Sequence, residues 1–168
     1  MFKYTLLYII LGPVLFGLIY FEDFAPLFFL NDLQTDLTTL LVTYGVAFFD
    51  LPITMQGPLM FFDNGAKLII HYTCNAMTPV LLYTAAIVSY PTWIKNKIIW
   101  LIGGYIALVA LNLVRMLLVS YAVTIDPDYF HWTHNYIGRY GMGVLTLTIF
   151  YIFTQHVSVL SRPDSSHK

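Results

Sequence analysis

The chain has 168 residues, of which 58% are hydrophobic, 17% aromatic and only 10% charged. A soluble domain carries roughly 25% charged residues, so this composition, with a mean hydropathy of +0.72, excludes an ordinary water-soluble globule and indicates an integral membrane protein. A formal net charge of -1 without a basic patch excludes nucleic acid as a partner, and the single cysteine, Cys74, cannot close an internal disulfide.

The first apolar run, Tyr4 to Phe21, is long enough to cross a bilayer and is followed by no small-residue cleavage site. It reads as a retained helix with Lys3 as its flank. In Asp32 to Leu41 the apolar positions 33, 37, 40 and 41 recur at helical spacing, with Thr, Gln and Asp on the other face. This predicts an amphipathic helix over about 32–48 lying on the outer membrane surface, with Asp32 as its N-cap. The stretch from Leu51 to Tyr72 carries two turn signals, Gln56-Gly57-Pro58 and Asp63-Asn64-Gly65, between strand formers at 59–62 and 68–70. It reads as a small β-hairpin outside the membrane, over about 51–72. Three more spans follow, over about 76–94, 98–124 and 136–157, and then a cytoplasmic tail over 158–168. The expected fold class is an all-α integral membrane bundle of about four transmembrane helices, forming one membrane domain over 1–157.

Basic residues orient it. Lys3, Lys95, Lys97, Arg162 and Lys168 all fall on one side of this arrangement, which the positive-inside rule makes cytoplasmic. Of the acidic residues only Asp164 joins them. Residues 24–74 must then cross the membrane zero or two times.

Three residues carry chemistry. Cys74 lies just before the second span, at the outer interface, where helix N-terminal amides and the helix dipole favour a thiolate and can donate to an oxyanion; the competing reading is a buried small side chain. Arg115 interrupts the apolar segment Ile98 to Thr124, which is about 40 Å of helix against a hydrocarbon core of roughly 30 Å, so the helix tilts or protrudes. Arg115 then approaches the Cys74 level and shares a face with Asn112; otherwise it snorkels to outer headgroups. His134 enters the last span with a pKa suited to taking a proton from a thiol and returning it to a leaving amine. His131 is its main rival. His71 is another, although in a continuing strand its separation of three from Cys74 places the two on opposite faces. A His131/His134 metal pair lacks an evident third ligand, and no metal or cofactor is expected. Trp93, Trp100 and Trp132 suit interfacial anchors, and Gly103-Gly104 and Gly141-Met142-Gly143 suit close helix packing.

The motifs around these residues resemble the exosortase/archaeosortase family of membrane transpeptidases. That family pairs a Cys in a C-(S/T/N)-(G/A) context before a transmembrane helix with an Asn-x-(V/I)-Arg in the next helix and a His-x-x-x-Gly entering the last. Here these are Cys74-Asn75-Ala76, Asn112-Leu113-Val114-Arg115 and His134-Asn135-Tyr136-Ile137-Gly138. The similarity runs from about the hairpin to Tyr151, and the short chain with its Cys-Asn context is most similar to exosortase H. Two positions depart from the pattern: Ala76 stands where many members have Gly, and Asn135 replaces the more usual acidic partner of the histidine.

The resemblance implies Cys74 as nucleophile, His134 as general base and Arg115 with helix amides at the oxyanion. It implies as partners secreted precursor proteins bearing a C-terminal sorting signal made of a short motif, a transmembrane helix and a basic cluster, cut on the periplasmic side of a bacterial inner membrane. Membrane lipid is the other partner. Two further readings of the chain stand beside this one: a non-enzymatic subunit of a membrane complex, and a small transporter with Arg115 lining a polar path, for which Asn112, Arg115 and Ser120 are a short stripe.

Overall fold

A computed structural model describes residues 2–23 and 25–157. Helix α1, Phe2–Ile19, is apolar beyond Lys3 and Thr5 and holds Pro13 within it. Helix α2, Phe29–Phe48, begins a turn earlier than expected, with Phe28 at its cap position. Asp32 is therefore not the N-cap; it lies in the first turn, where a carboxylate still complements the positive end of the helix dipole.

Burial along α2 is inverted relative to an ordinary amphipathic helix. Asn31, Gln34 and Thr38 are 0%, 5% and 3% exposed, whereas Leu33 is 64% and Leu40 52% exposed. In the first half of the helix the Asn31, Gln34 and Thr38 side turns inward because its groups find partners there, leaving Leu33 and Leu40 outward beside Asp32 and Asp36; in the second half Val42 and Val46 are buried in the ordinary way. The helix lies lengthwise along α4 in the same direction, since Gln34 meets Tyr105 and a Cβ at Gly45 would meet Leu117.

Three antiparallel strands follow in the order β1 (Ile53–Gln56), β2 (Leu59–Phe62) and β3 (Lys67–Ile69), with Ile53 opposite Phe62 and Leu59 opposite Ile69. The expected hairpin is one strand short: two turns need three strands, and Ile53–Gln56 supplies the first. Gly57 and Gly65 sit in the turns at φ +59 and +86, a conformation costly for a residue with a Cβ. The sheet packs through Met60 and Phe62 against Val42 and Val46 of α2 and Met116 and Val123 of α4. Asn64 Nδ2 donates to the Val123 carbonyl at 2.7 Å.

Helix α3, Met77–Ser89, stops well short of residue 94 because Pro91 holds Tyr90 in extended backbone at ψ 135. Trp93 and Ile94 belong instead to the start of α4, Ile94–Ile125, whose 32 residues make about 48 Å of helix. The last helical run is continuous from α5, Tyr129–Trp132, through a π-helical segment, Thr133–Gly141, into α6, Met142–His156. Among the described residues two helices are long and apolar enough to cross a membrane, Ile94–Ile125 and Tyr129–His156, while α1 and α3 are shorter apolar helices. A second core joins α3, α4 and α6 through Tyr83, Ile87, Leu108, Met142 and Phe153. The tail with Arg162, Asp164 and Lys168 lies outside the described residues.

Candidate active site

Cys74 closes a 3₁₀ turn, Tyr72–Cys74, that leads out of the sheet, with its N–H bonded to the His71 carbonyl at 2.8 Å. Two residues later Ala76 adopts φ +64, a left-handed conformation that swings the chain into α3. This strained corner is held from two sides. Asn112 Nδ2, on α4, donates to the Cys74 carbonyl at 3.0 Å, and Gln34 Nε2, on α2, donates to the Asn75 carbonyl at 3.1 Å. Gln34 is itself fixed by the Tyr105 hydroxyl, which donates to its Oε1 at 2.6 Å. The fully buried Asn75 side chain donates to the Asn31 carbonyl and Oδ1 and to Thr35 Oγ1, and its Oδ1 accepts the Met77 N–H at 2.8 Å.

That last bond matters for charge stabilisation at the start of α3. Met77 N–H is taken by Asn75, and Pro79 has no N–H to offer, so fewer helix amides are free for an anion than the sequence suggested. The cation is well placed instead. Arg115 is 8% exposed and donates from Nη1 to Asn112 Oδ1 at 3.0 Å, so it is tied through Asn112 to the Cys74 carbonyl. Its Nε has no hydrogen-bond partner among the described residues.

His134 lies in the π-helical segment, a geometry that recurs at functional sites because the widened turn re-aims side chains. Its Nε2 is 3.8 Å from Cys74 Sγ. Phe130 stacks on the ring at 5.1 Å between centroids, so a ring face positions the imidazole. One helical turn on, Gly138 makes room for the guanidinium, since a Cβ there would lie 2.7 Å from Arg115 Nε. His131 is exposed and packs on Phe130, and His71 is exposed and stacks on Tyr72 at 4.0 Å between centroids. The structure thus brings Cys74, Arg115 and His134 together.

Sequence reasoning missed Asn31, Gln34, Thr35 and Tyr105. For Asn31 and Gln34 the signal is the polar spacing 31, 34, 38 on α2; Thr35 and Tyr105 carry none.

Chemically, a thiol in hydrogen-bonding range of an imidazole and beside a buried guanidinium is suited to nucleophilic attack on a carbonyl. Arg115 and His134, with Thr73 and Ala76 from the chain on either side of Cys74 and Asn75, border a cavity of about 1110 Å³ that continues between α1, α3 and α6 to Tyr90 and Pro91, at the far end of α3.

A family model described as transmembrane exosortase matches residues 2–151, from the start of α1 to well inside α6. No curated protein and no solved structure matches the chain. The matched region takes in the three converging residues and the elements that hold them, and the chain belongs to the transmembrane exosortase family.

Proposed function

We propose that the protein is a membrane-embedded cysteine peptidase and transpeptidase that cuts C-terminal sorting signals from secreted precursor proteins. The observation that carries this reading is the 3.8 Å separation of Cys74 Sγ and His134 Nε2 beside the buried Arg115 guanidinium. His134 takes the Cys74 proton as the sulfur attacks the scissile carbonyl. The tetrahedral oxyanion that forms is stabilised by Arg115. Collapse breaks the C–N bond, His134 gives its proton to the leaving amine, and the precursor remains as a thioester on Cys74. An acceptor amine or water then attacks the thioester carbonyl and restores the thiol. The clustering of Lys3, Lys95 and Lys97 at one side supports a site that faces the periplasm from the inner membrane.

The test is cleavage of a co-expressed, tagged precursor, compared between wild type and the Cys74→Ala and Cys74→Ser variants at equal membrane levels. Cleavage lost in both variants is the expected result. Equal processing by Cys74→Ala removes the nucleophile and with it this function.

A further inference from the structure

We propose that the cavity between α1, α3 and α6 holds an anionic phospholipid, its phosphate against Arg115 and Arg139 and its acyl chains along α3. This goes beyond the peptidase reading and stands without it. Cys74 does not border the cavity, so the occupant need not carry a scissile bond.

Charge is the first argument. Arg115 and Arg139 both stand in the wall at the Cys74 end, and among the described residues no aspartate or glutamate lines the cavity. Arg115 is 8% exposed; its Nη1 is spent on the neutral Asn112 amide, and its buried Nε has no hydrogen-bond partner among the described residues. A guanidinium withdrawn from water is costly until an anion or further acceptors meet it, and a phosphate presents several oxygens to its N–H groups. Gly138 adjoins Arg139 in the chain and is pressed on the Arg115 side chain, since a Cβ there would lie 2.7 Å from Nε. The two cations therefore belong to one patch of wall.

Shape is the second. Beyond the cations the walls turn apolar, with Leu82 and Ala86 on α3 and Met142, Leu147 and Phe150 on α6. Leu147 is 68% and Leu82 38% exposed, so the cavity opens along its side and not only at its end. Met77–Ser89 runs beside it for about 20 Å, enough for the acyl chains of one leaflet, which fill half of a hydrocarbon core of roughly 30 Å. A ligand with an anionic head and an apolar tail matches this division of the walls, whereas an apolar helix brings no anion to the two arginines. On the peptidase reading the phosphate holds the place of the oxyanion until a precursor displaces it.

In the experiment, full-length protein in a non-ionic detergent is titrated with phosphatidylglycerol, with phosphatidylcholine, whose phosphate is balanced by a cation, and with inorganic phosphate. Retained ligand is counted by native mass spectrometry. The variants are Arg139→Gln at an exposed position, Ala86→Phe, which narrows the apolar length of the cavity, and Lys95→Gln, an exposed control outside it. The expected result is one phosphatidylglycerol retained about tenfold more tightly than phosphatidylcholine, with affinity lowered about tenfold by Arg139→Gln, lowered also by Ala86→Phe, and unchanged in Lys95→Gln. Equal retention of the two lipids, or an unchanged affinity for phosphatidylglycerol in Arg139→Gln, overturns the proposal. Failure to retain any lipid overturns it too and leaves the cavity to a polypeptide. Inorganic phosphate that displaces phosphatidylglycerol at equal concentration, with Ala86→Phe silent, overturns it by showing a phosphate site without a chain. Size-exclusion elution matching wild type shows that each variant folds, and if Ala86→Phe does not, Arg139→Gln decides alone.

Discussion

Gly138 and Arg115 share one space: a single methyl at residue 138 would sit 2.7 Å from the arginine Nε and 2.9 Å from Nη2. A buried guanidinium bonded to Asn112 has little freedom to retreat. Gly138→Ala is therefore expected to displace the cation from Cys74 and lower precursor cleavage about 100-fold, the scale of losing one oxyanion donor. Alkylation of Cys74 by a small maleimide, followed by mass, checks that the thiol remains accessible. Unchanged cleavage would separate Arg115 from the chemistry.

Gln34 reaches the Cys74 corner from a different helix. Gln34→Leu leaves the Asn75 carbonyl and the Tyr105 hydroxyl without their partner, at a cost of about 1–3 kcal/mol in stability. The corner it steadies carries Cys74, so kcat should fall about tenfold with KM little changed, and Tyr105→Phe should do the same more weakly. A lowered melting temperature with an unchanged kcat would make Gln34 a purely structural residue.

Ala76 is held at φ +64, where a Cβ costs about 1–2 kcal/mol. Ala76→Gly removes that cost but gives the unfolded chain more freedom, so a net gain of about 0.5–1 kcal/mol is expected, seen as a higher thermal midpoint in detergent. A lower midpoint would mean that the alanine methyl, 6% exposed in the α3 core, contributes more than its backbone costs.

A methyl at Gly104 would collide with the Tyr83 ring, which is 2% exposed and anchored by its hydroxyl to the Trp100 carbonyl at 2.8 Å. Gly104→Ala should cost about 1–3 kcal/mol by forcing α3 and α4 apart. Tyr83→Phe, which keeps the ring, should cost about 1 kcal/mol. Thermal unfolding of both variants tests the order, and equal costs would show that the hydroxyl rather than the ring is what matters here.

How much of this was readable without coordinates differs from residue to residue. Cys74, Arg115 and His134 stood out because an apolar chain makes each chemically capable side chain rare, and rarity is visible in one dimension. The inward face of α2 was not, because the usual rule sends polar groups to water, and only the partners Asn75 and Tyr105, distant in sequence, reverse it. The end of α3 is written in Pro91, but the length of a bilayer asks for a span to residue 94, and the local proline wins. The strand Ile53–Gln56 was implied by two turn signals that a single hairpin could not use.

Helix α4 carries Tyr105 two turns before Asn112, and Arg115 one turn after it, on one inward face, and each reaches the Cys74 corner directly or through one intermediary. Their phase is therefore common property. One residue inserted between 105 and 112 would rotate the two halves of that face by about 100° and uncouple the brace at Gln34 from the brace at the thiol. Length change is barred from those two turns even where substitution is tolerated, so related chains that keep this arrangement should vary there in their exposed side chains and not at all in count.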